Sequence, residues 1–381
     1  MSSEAHRGRA IVSRGPNKEG QWAIEDVTLR PIKDNELVVQ MVASGICHTD
    51  FYFGDAEPAE PYMFYPRVLG HEGSGRVVEV GSKVTVAKPG DPVLLSFDSC
   101  QNCQLCRDQF PSYCTAFNSI NFRGNECFSS DGKDQIFGSF FGQSSFASLS
   151  VVSEKSVVNA KDLIRSDDEL KLFAPLGCGI QTGSGTIWNA SDSGPNDEVA
   201  VIGLGGVGLS AVMAAKIKGV KSIIAIDRVP ERIQLAKELG ATHGIDTFGI
   251  RHMKDIIGEV QSCTDENLGP TITIDTTGIP SLVETAIDFT RTKGKIFQVG
   301  TGGMQEVKIT MQPFMASGKS YIGAIEGNAT PSKYVPQMIQ WYREGKFPLE
   351  KFVKFYKAED FKKGIEDMHH AADAVKPVIV W

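Results

Sequence analysis

The chain is 381 residues long, which is more than one single-core domain usually holds. Hydrophobic residues make up 41% and charged residues 22%, a composition that excludes an intrinsically disordered protein. The 39 basic and 46 acidic side chains leave a formal net charge of −7, so we expect neither nucleic acid nor an anionic membrane as a partner, because both attract basic surfaces.

Short runs of β-branched residues, separated by Gly, Pro and Asp, are typical of the first 180 residues. The clearest runs are 36–42, 75–81 and 91–95. Runs of this length with turn residues between them predict the short strands of an irregular β domain or barrel.

A different pattern begins near residue 197, where predicted strands alternate with predicted helices. The strands are 199–202, 222–226, 271–274 and 295–299, and the helices are 209–218 and 230–239. Such alternation predicts a doubly wound parallel sheet and therefore an α/β fold. The longest apolar run, 199–215, contains glycines and is shorter than the roughly 20 residues of a membrane span. Two helices, 335–344 and 359–368, and a strand, 376–380, close the chain.

Four of the eight cysteines crowd into one segment, with spacers of two, two and seven residues. They are Cys100, Cys103, Cys106 and Cys114. Four thiolates this close predict a tetrahedral, closed and therefore structural zinc site. An iron–sulfur cluster is the less favoured alternative, because its typical run continues with a three-residue spacer and Cys-Pro. Buried or disulfide-bonded cysteines are the other alternative. Since clustering favours metal over disulfides, we expect a cytoplasmic location.

A glycine fingerprint follows the predicted strand 199–202. It consists of Gly203, Gly205 and Gly208, with Gly206 and Val207 in the same turn. In this motif the glycines make the turn, admit a pyrophosphate and allow helix and strand to pack closely. Asp227 ends the next strand, where an acid binds the ribose hydroxyls and disfavours a 2′-phosphate, so NAD is preferred over NADP. Arg228 weakens that preference, and Arg232 is placed to hold the ribose.

Three glycine-flanked segments carry further metal-capable groups. They contain Cys47 with His48, His71 with Glu72, and Cys178. Spacing does not link them, since they lie far apart in the chain. Taken singly, each cysteine is more often a small buried hydrophobe than a ligand. His71 is also compatible with a core histidine, and His48 alone is by default a surface residue.

Together these motifs, with the segment 376–379, make the chain resemble the zinc-dependent medium-chain alcohol dehydrogenase family over essentially its whole length. The resemblance implies a GroES-like, β-rich catalytic domain, 1–179 and 326–381, and a Rossmann NAD-binding domain, 180–325. It implies a catalytic zinc with an open fourth position, held by Cys47, His71 and Cys178, with Asp50 behind His71 and Glu72 close to the metal. Each chain would hold two zinc ions and NAD, and would form a homodimer or homotetramer.

The segment 138–147 is similar to the aryl- (benzyl-) alcohol dehydrogenase branch of this family. This resemblance implies a substrate pocket for an aryl or allylic primary alcohol or aldehyde, with aromatic walls that suit a flat molecule. The expected pocket residues are Phe51, Phe97, Phe140, Phe141, Thr301 and Ile325. We also expect Val299 and Lys376 to contact the cofactor, the latter at the pyrophosphate.

Thr49 occupies the position where the family places the hydroxyl that bonds the substrate oxygen. The family's usual relay histidine is replaced here by Tyr52. We therefore predict that the proton passes from Thr49 through the cofactor ribose to His48, the only histidine near this segment apart from His71.

Two alternatives stay open from the sequence. One is a biosynthetic reductase of an aldehyde, iminium or conjugated double bond on the same scaffold, which the altered relay favours. The other is a catalytically silent dinucleotide-binding or structural protein, against which the complete set of Cys47, His71 and Cys178 argues.

Overall fold

The computed structural model describes residues 5–55, 62, 64–130, 134–370 and 374–381. The chain forms two compact units. The first comprises Met1–Gly179, Thr330–Gln340 and Leu349–Trp381, and the second comprises Ile180–Ala329 and Trp341–Pro348. Residues 326–329 and 341–348, which the sequence-based division assigned to the catalytic domain, thus lie in the second unit. The functional division into two domains stays a prediction.

The strands are short, as expected from the spacing of turn residues. In chain order they are β1 (Arg7–Ser13), β2 (Trp22–Leu29), β3 (Glu36–Gly45), β4 (Arg67–Val68), β5 (Gly73–Val80), β6 (Pro92–Leu95), β7 (Asn125–Ser130), β8 (Asp134–Gly138), β9 (Leu149–Ser153), β10 (Val157–Asn159), β11 (Glu198–Ile202), β12 (Ser222–Asp227), β13 (His243–Asp246), β14 (Ile272–Asp275), β15 (Lys295–Gln298), β16 (Ser320–Gly323), β17 (Val353–Lys357) and β18 (Lys376–Val380).

The helices are longest in the part of the chain where periodic apolar patterns predict them. They are α1 (His48–Gly54), α2 (Gln104–Arg107), α3 (Phe117–Asn121), α4 (Asp167–Leu172), α5 (Gly179–Gly185), α6 (Gly206–Ile217), α7 (Pro230–Leu239), α8 (Ile257–Ser262), α9 (Pro280–Phe289), α10 (Met311–Ser317), α11 (Pro331–Arg343) and α12 (Phe361–His370). None of the described helices is long and apolar enough to cross a lipid bilayer.

The first unit contains a closed barrel and a second sheet. The barrel runs in the order β1-β2-β7-β8-β4, and the sheet in the order β10-β6-β5-β3-β18-β17, with β9 paired to β3 outside that path. The end of β3 is held on both sides, since Ser44 pairs with Gly73 of β5 and Gly45 pairs with Val378 of β18. The residues just after β3, just before β5 and at the start of β18 are therefore neighbours.

The second unit is built on a parallel sheet with the order β13-β12-β11-β14-β15-β16. Alternate residues of its central strands, such as Ile202 and Ile226, pack with Val283 and Phe289 of α9 in one apolar core. The strand order changes direction at β11, and in such sheets ligands bind outside the carboxyl ends of the strands at that point. The predicted α/β class with a doubly wound parallel sheet is confirmed.

Two strands of this sheet were not predicted from the sequence. They are β13 and β16, which lie at the two edges of the sheet. Each has four residues, and only Ile245 of β13 and no residue of β16 is fully buried. An edge strand with so few buried side chains has no apolar pattern to reveal it.

Candidate metal centre and cofactor site

Cys47 caps the N-terminus of α1, immediately after β3. Asp50 lies in the first turn of this helix, and its Oδ2 accepts a hydrogen bond of 3.0 Å from the backbone N–H of Cys47. An acid at this position satisfies an N–H that the helix itself leaves free. This local bond fixes the backbone of Cys47 relative to α1.

Four side chains from three segments that are remote in the sequence converge in the first unit. They are Cys47, His71, Glu72 and Cys178, and one metal-capable atom from each lies within 4.8 Å of all the others. Nε2 of His71 is buried and has no hydrogen-bond partner among the described residues. A buried nitrogen without a hydrogen-bond partner indicates that another group, such as a metal ion, binds there. Two thiols and one imidazole are a ligand set typical of zinc. These residues therefore fit a zinc ion.

The other ring nitrogen of His71 contacts Asp50. Nδ1 of His71 and Oδ1 of Asp50 are 2.8 Å apart, and the same oxygen accepts a bond of 3.1 Å from the backbone N–H of Gly70. Burial opposes protonation of His71, but the Asp50 carboxylate outweighs it and raises the pKa of the imidazole. An acceptor at Nδ1 leaves Nε2 as the nitrogen that faces a metal.

Glu72 and Lys376 form a buried ion pair beside this cluster. Nζ of Lys376 donates to Oε1 of Glu72 at 2.7 Å and to the carbonyl oxygen of Ile46 at 2.9 Å, while Oε1 also accepts from Gly179 N–H at 2.9 Å. Burial raises the pKa of Glu72 to about 7 despite the nearby ammonium group. The ion pair therefore links the three chain segments that carry Cys47, His71 and Cys178. The sequence did not indicate this structural role.

Because Lys376 and Glu72 bind each other, their predicted contacts with the cofactor and the metal need separate comment. Lys376 is buried and held inside the first unit, and its contact with a cofactor pyrophosphate stays a prediction. Glu72 has its carboxylate on Lys376, so its contact with the metal also stays a prediction.

The four clustered cysteines form a second group of metal-capable atoms. The sulfurs of Cys100, Cys103, Cys106 and Cys114 lie within 4.8 Å of one another. Sγ of Cys106 is 3.5 Å from Sγ of Cys103 and 3.9 Å from Sγ of Cys100. Four sulfurs at a Zn–S distance of about 2.3 Å would be about 3.8 Å apart at tetrahedral corners, so the spacing fits zinc. Backbone N–H groups of Asn102 and Cys103 also point at Sγ of Cys100.

The predicted aromatic pocket residues are almost entirely buried. Phe141 stacks on His71 with ring centroids 4.6 Å apart, and Phe51 is also largely covered. Phe140 has no accessible surface, because Phe53, Phe141, His71 and Arg67 enclose its ring. Phe140 and Phe141 therefore lie beside the candidate ligand His71, but contact of these three residues with a substrate stays a prediction.

The remaining pocket candidates are one residue of the first unit and two residues of the second. Phe97 lines a cavity of about 610 Å³ beside the cysteine cluster, together with Cys106 and Arg107. Thr301 and Ile325 belong to the second unit, where both are exposed. Their contact with a substrate stays a prediction as well.

The predicted proton route begins next to Cys47. Oγ1 of Thr49 is 3.9 Å from Sγ of Cys47. His48 is exposed, and the structure corrects the expectation that it is the only histidine here besides His71. The ring of His369 lies 6.0 Å from that of His48 and 4.9 Å from that of Phe51. No sequence signal links residues so far apart, and the relay itself stays a prediction.

The glycine fingerprint forms the turn from β11 into α6. Gly203 has φ of +84°, and a Cβ on Gly208 would lie 1.8 Å from the carbonyl oxygen of Gly203. A Cβ on Gly205 would meet no atom within 4 Å, so the space in front of this residue is open. An open approach to the N-terminus of α6, with Gly206 and Val207 in its first turn, fits a dinucleotide pyrophosphate.

Asp227 ends β12 beside that turn. Its Oδ2 accepts from Leu204 N–H at 2.6 Å, and its Oδ1 accepts from the N–H groups of Arg228 and Val229. The carboxylate is therefore held in place and keeps lone pairs for ribose hydroxyls. Arg228 is exposed, and Arg232 is half-buried in the first turn of α7.

One further cofactor candidate follows β15. Val299 is half-buried, and its N–H donates to the carbonyl oxygen of Asp275. Its contact with the cofactor stays a prediction.

Known proteins match the chain along nearly its full length. Residues 33–162 match the family model of the alcohol dehydrogenase GroES-like domain, and residues 206–344 match that of zinc-binding dehydrogenase. Geraniol dehydrogenase from Castellaniella defragrans is 35% identical over 370 residues, or 95% of either chain. The chain belongs to the zinc-dependent medium-chain alcohol dehydrogenase family.

Solved structures agree with this membership. Benzyl alcohol dehydrogenase from Acinetobacter calcoaceticus has a TM-score of 0.87 at 34% identity, covering 98% of this chain and 99% of that one. An alcohol dehydrogenase zinc-binding domain protein from Burkholderia ambifaria has a TM-score of 0.89 at 32% identity, covering 99% of both chains.

The predicted family and the GroES-like and Rossmann-type folds are thereby confirmed, and this dehydrogenase is an oxidoreductase. Zinc and NAD are the cofactors of its family.

Proposed function

We propose that this dehydrogenase interconverts an aryl or allylic primary alcohol and its aldehyde, with NAD as the hydride carrier. The observation that carries the proposal is the convergence of Cys47, His71 and Cys178, with Nε2 of His71 turned away from Asp50 and free for a metal. The relatives named for benzyl alcohol and geraniol support the substrate class, because the carbinol carbon of both compounds is next to a π system.

Cys47, His71 and Cys178 would hold the catalytic zinc ion, and Cys100, Cys103, Cys106 and Cys114 the structural one. When bound, the catalytic zinc ion supplies a Lewis acid that favours ionisation of an alcohol or polarises a carbonyl, and NAD accepts or returns the hydride. Asp50 holds the imidazole of His71 in one tautomer. The Lys376–Glu72 pair holds the segments on which the ligands lie.

The remaining residues bind and orient. Thr49, whose Oγ1 is 3.9 Å from Sγ of Cys47, would bond the oxygen that loses its proton, and we assign onward transfer to His48. The carboxylate of Asp227, held by the N–H of Leu204, would bind two ribose hydroxyls and repel a 2′-phosphate, which favours NAD over NADP. Phe51, Phe140 and Phe141 would provide flat apolar surfaces for a conjugated substrate.

A homodimer or homotetramer is part of the proposal. In the second unit, Met304, Met311 and Met315 are 96%, 85% and 75% exposed, close in sequence to the edge strand β16. Exposed methionines and an open strand edge are features of an association surface, and a second copy would cover both. The eight cysteines, all among the described residues, form no disulfide with one another, and we propose a cytoplasmic location.

The test is a panel of aromatic, allylic and aliphatic primary alcohols, run on the zinc-loaded protein with NAD and NADP in parallel. We expect oxidation of benzyl alcohol and geraniol with NAD, two zinc ions per chain, and one zinc ion with no oxidation in Cys47→Ser. Negligible oxidation with both zinc ions present would favour the reductase alternative. A single zinc ion in the unmodified protein would contradict the proposed catalytic centre.

A further inference from the structure

The segment 139–145, which we name the aromatic turn, has an unusual backbone. Ser139, Phe141 and Ser144 have φ of 60°, 51° and 50°, in the left-handed region that residues with a side chain rarely adopt. Such a conformation is strained and persists only where the surroundings hold it. The contacts that hold the aromatic turn therefore indicate what its conformation serves.

Two of these contacts lead to the segment that precedes His71. Oγ of Ser144 donates to the carbonyl oxygen of Val68 at 2.7 Å, and Ser145 N–H donates to the carbonyl oxygen of Gly70 at 2.9 Å. The aromatic turn thus lies alongside the segment that leads from β4 to His71. Phe141, in the middle of the turn, stacks on the imidazole of His71 at 25° between ring planes.

The side chain of Gln143 adds hydrogen bonds between the aromatic turn and the backbone around His71. It is fully buried, and its Nε2 donates to the carbonyl oxygens of His71 and Ser96 at 2.9 and 3.0 Å. Its Oε1 accepts from Gly73 N–H at 2.9 Å. One amide group therefore binds the backbone on both sides of Glu72 and anchors it to the residue after β6.

Glycine at position 73 allows the amide of Gln143 to come close to the backbone. A Cβ there would lie 2.9 Å from Oε1 of Gln143 and 2.7 Å from Cβ of Ser145. Contacts this short do not occur between real side chains, so glycine is required for the amide to reach the backbone.

We propose that Gln143 is a positioning residue for the catalytic metal centre. By holding the backbone of His71 and Gly73, it presents Nε2 of His71 to the two thiols in one orientation and shares this task with Asp50. The proposal rests on the metal centre assigned above. It concerns a residue that touches neither metal nor substrate.

Asn121 offers a matched control. This residue is also fully buried, and its amide makes the same pattern of three hydrogen bonds. Its Nδ2 donates to the carbonyl oxygens of Asp98 and Phe117, both at 2.9 Å, and its Oδ1 accepts from Asp98 N–H at 2.8 Å. None of these three bonds involves the backbone of His71 or Gly73, so their loss removes equal hydrogen-bonding capacity without releasing that backbone.

The experiment compares Gln143→Met and Asn121→Leu in the zinc-loaded, full-length protein. Release of each zinc ion to a chromogenic chelator is followed well below the melting temperature, and the absorption spectrum of the cobalt-substituted protein is recorded. For Gln143→Met we expect release of one metal equivalent about ten-fold faster or more and a changed cobalt spectrum, as for residues that orient metal ligands. For Asn121→Leu we expect that rate within about two-fold of the unmodified protein.

Equal effects of the two substitutions, or no effect of Gln143→Met on a protein that holds two zinc ions, would overturn the inference alone. A protein with one zinc ion before substitution would overturn the proposed function as well. If Gln143→Met does not fold, hydrogen exchange of the unmodified protein decides the question. Removal of the catalytic metal must then increase exchange in residues 139–147 together with 68–75 and leave 117–121 unchanged, and unchanged exchange in 139–147 contradicts the proposal.

Discussion

Lys376 and Glu72 are 304 residues apart, yet Nζ of Lys376 lies 2.7 Å from Oε1 of Glu72 in the interior of the first unit. The ammonium group also binds the carbonyl oxygen before Cys47, and the carboxylate binds the N–H after Cys178. One ion pair and its two backbone hydrogen bonds therefore hold the three segments of the candidate metal centre together through protein contacts alone.

Lys376→Met leaves the Glu72 carboxylate buried without its partner. Removal of one member of such a pair costs about 3–5 kcal/mol, and we expect a clearly lower melting temperature in the metal-free protein. The double variant Lys376→Met/Glu72→Gln restores part of the loss, because the unpaired charge is gone. Thermal unfolding by circular dichroism measures both. Equal melting temperatures of the single variant and the unmodified protein would show that the pair contributes nothing.

Cys103→Ser removes one sulfur from the cysteine cluster. We expect loss of one zinc ion per chain and a lower melting temperature, since structural zinc ions contribute directly to folding. Oxidation of benzyl alcohol should persist at low temperature, because the second metal centre is untouched. Zinc analysis and thermal unfolding of this variant are compared with Cys263→Ser, whose sulfur is outside both clusters. Retention of two zinc ions would argue against the structural site.

Glu36 forms a paired hydrogen bond with Arg30, at 2.7 and 2.8 Å. Burial opposes ionisation of Glu36, but the guanidinium group outweighs it and lowers the pKa of the carboxyl below its usual value of 4.5. Because the pKa is lower in the folded state, the stabilisation is complete above pH 4.5 and is lost as the pH falls through the folded pKa.

The variant Glu36→Gln tests this sign. At pH 7 we expect it to lower the free energy of unfolding by about 1–2 kcal/mol, since bonds between charged groups contribute this much when partly buried. The difference from the unmodified protein shrinks toward zero in acid. Urea unfolding at several pH values measures it, and a difference that grows in acid contradicts the assignment.

Asp227→Asn replaces the carboxylate that faces the glycine turn. We expect NAD to bind about ten-fold more weakly and the preference for NAD over NADP to decrease, because the negative charge that repels a 2′-phosphate is gone. Asp246→Asn is the control, since Asp246 lies opposite Asp227 on the neighbouring strand. Fluorescence titration with both cofactors measures the change. An unaltered ratio of the two dissociation constants would mean that Asp227 does not select the cofactor.

Met311→Glu with Met315→Glu places two charges on the surface proposed to bind a second copy. We expect dissociation to the monomer in sedimentation analysis, because burial of unpaired charges opposes association. Phe248→Glu is the control, since Phe248 is 76% exposed in the same unit and is not part of the proposed surface. A monomeric unmodified protein, or an oligomer that persists with both charges, would exclude this surface.

Local features of the sequence were enough to predict part of this molecule. The spacing of Cys100, Cys103, Cys106 and Cys114 confines four thiols to one loop, so their convergence follows from chain length alone. The fingerprint around Gly203 lies between a strand and a helix whose patterns are strong, because the central strands of the parallel sheet are buried on both faces. Edge strands such as β16 bury too little surface to leave a pattern.

Long-range pairing decided the rest. Cys47, His71 and Cys178 are linked in the sequence only by resemblance, and it is the pairing of β3 with β5 and β18 that brings their segments together. The partners of Glu72 and Gln143, and the closeness of His369 to His48, have no local signal. A sequence records which side chains are near in the chain and which are apolar, whereas polar side chains that meet across a fold acquire their partners only when the strands are paired.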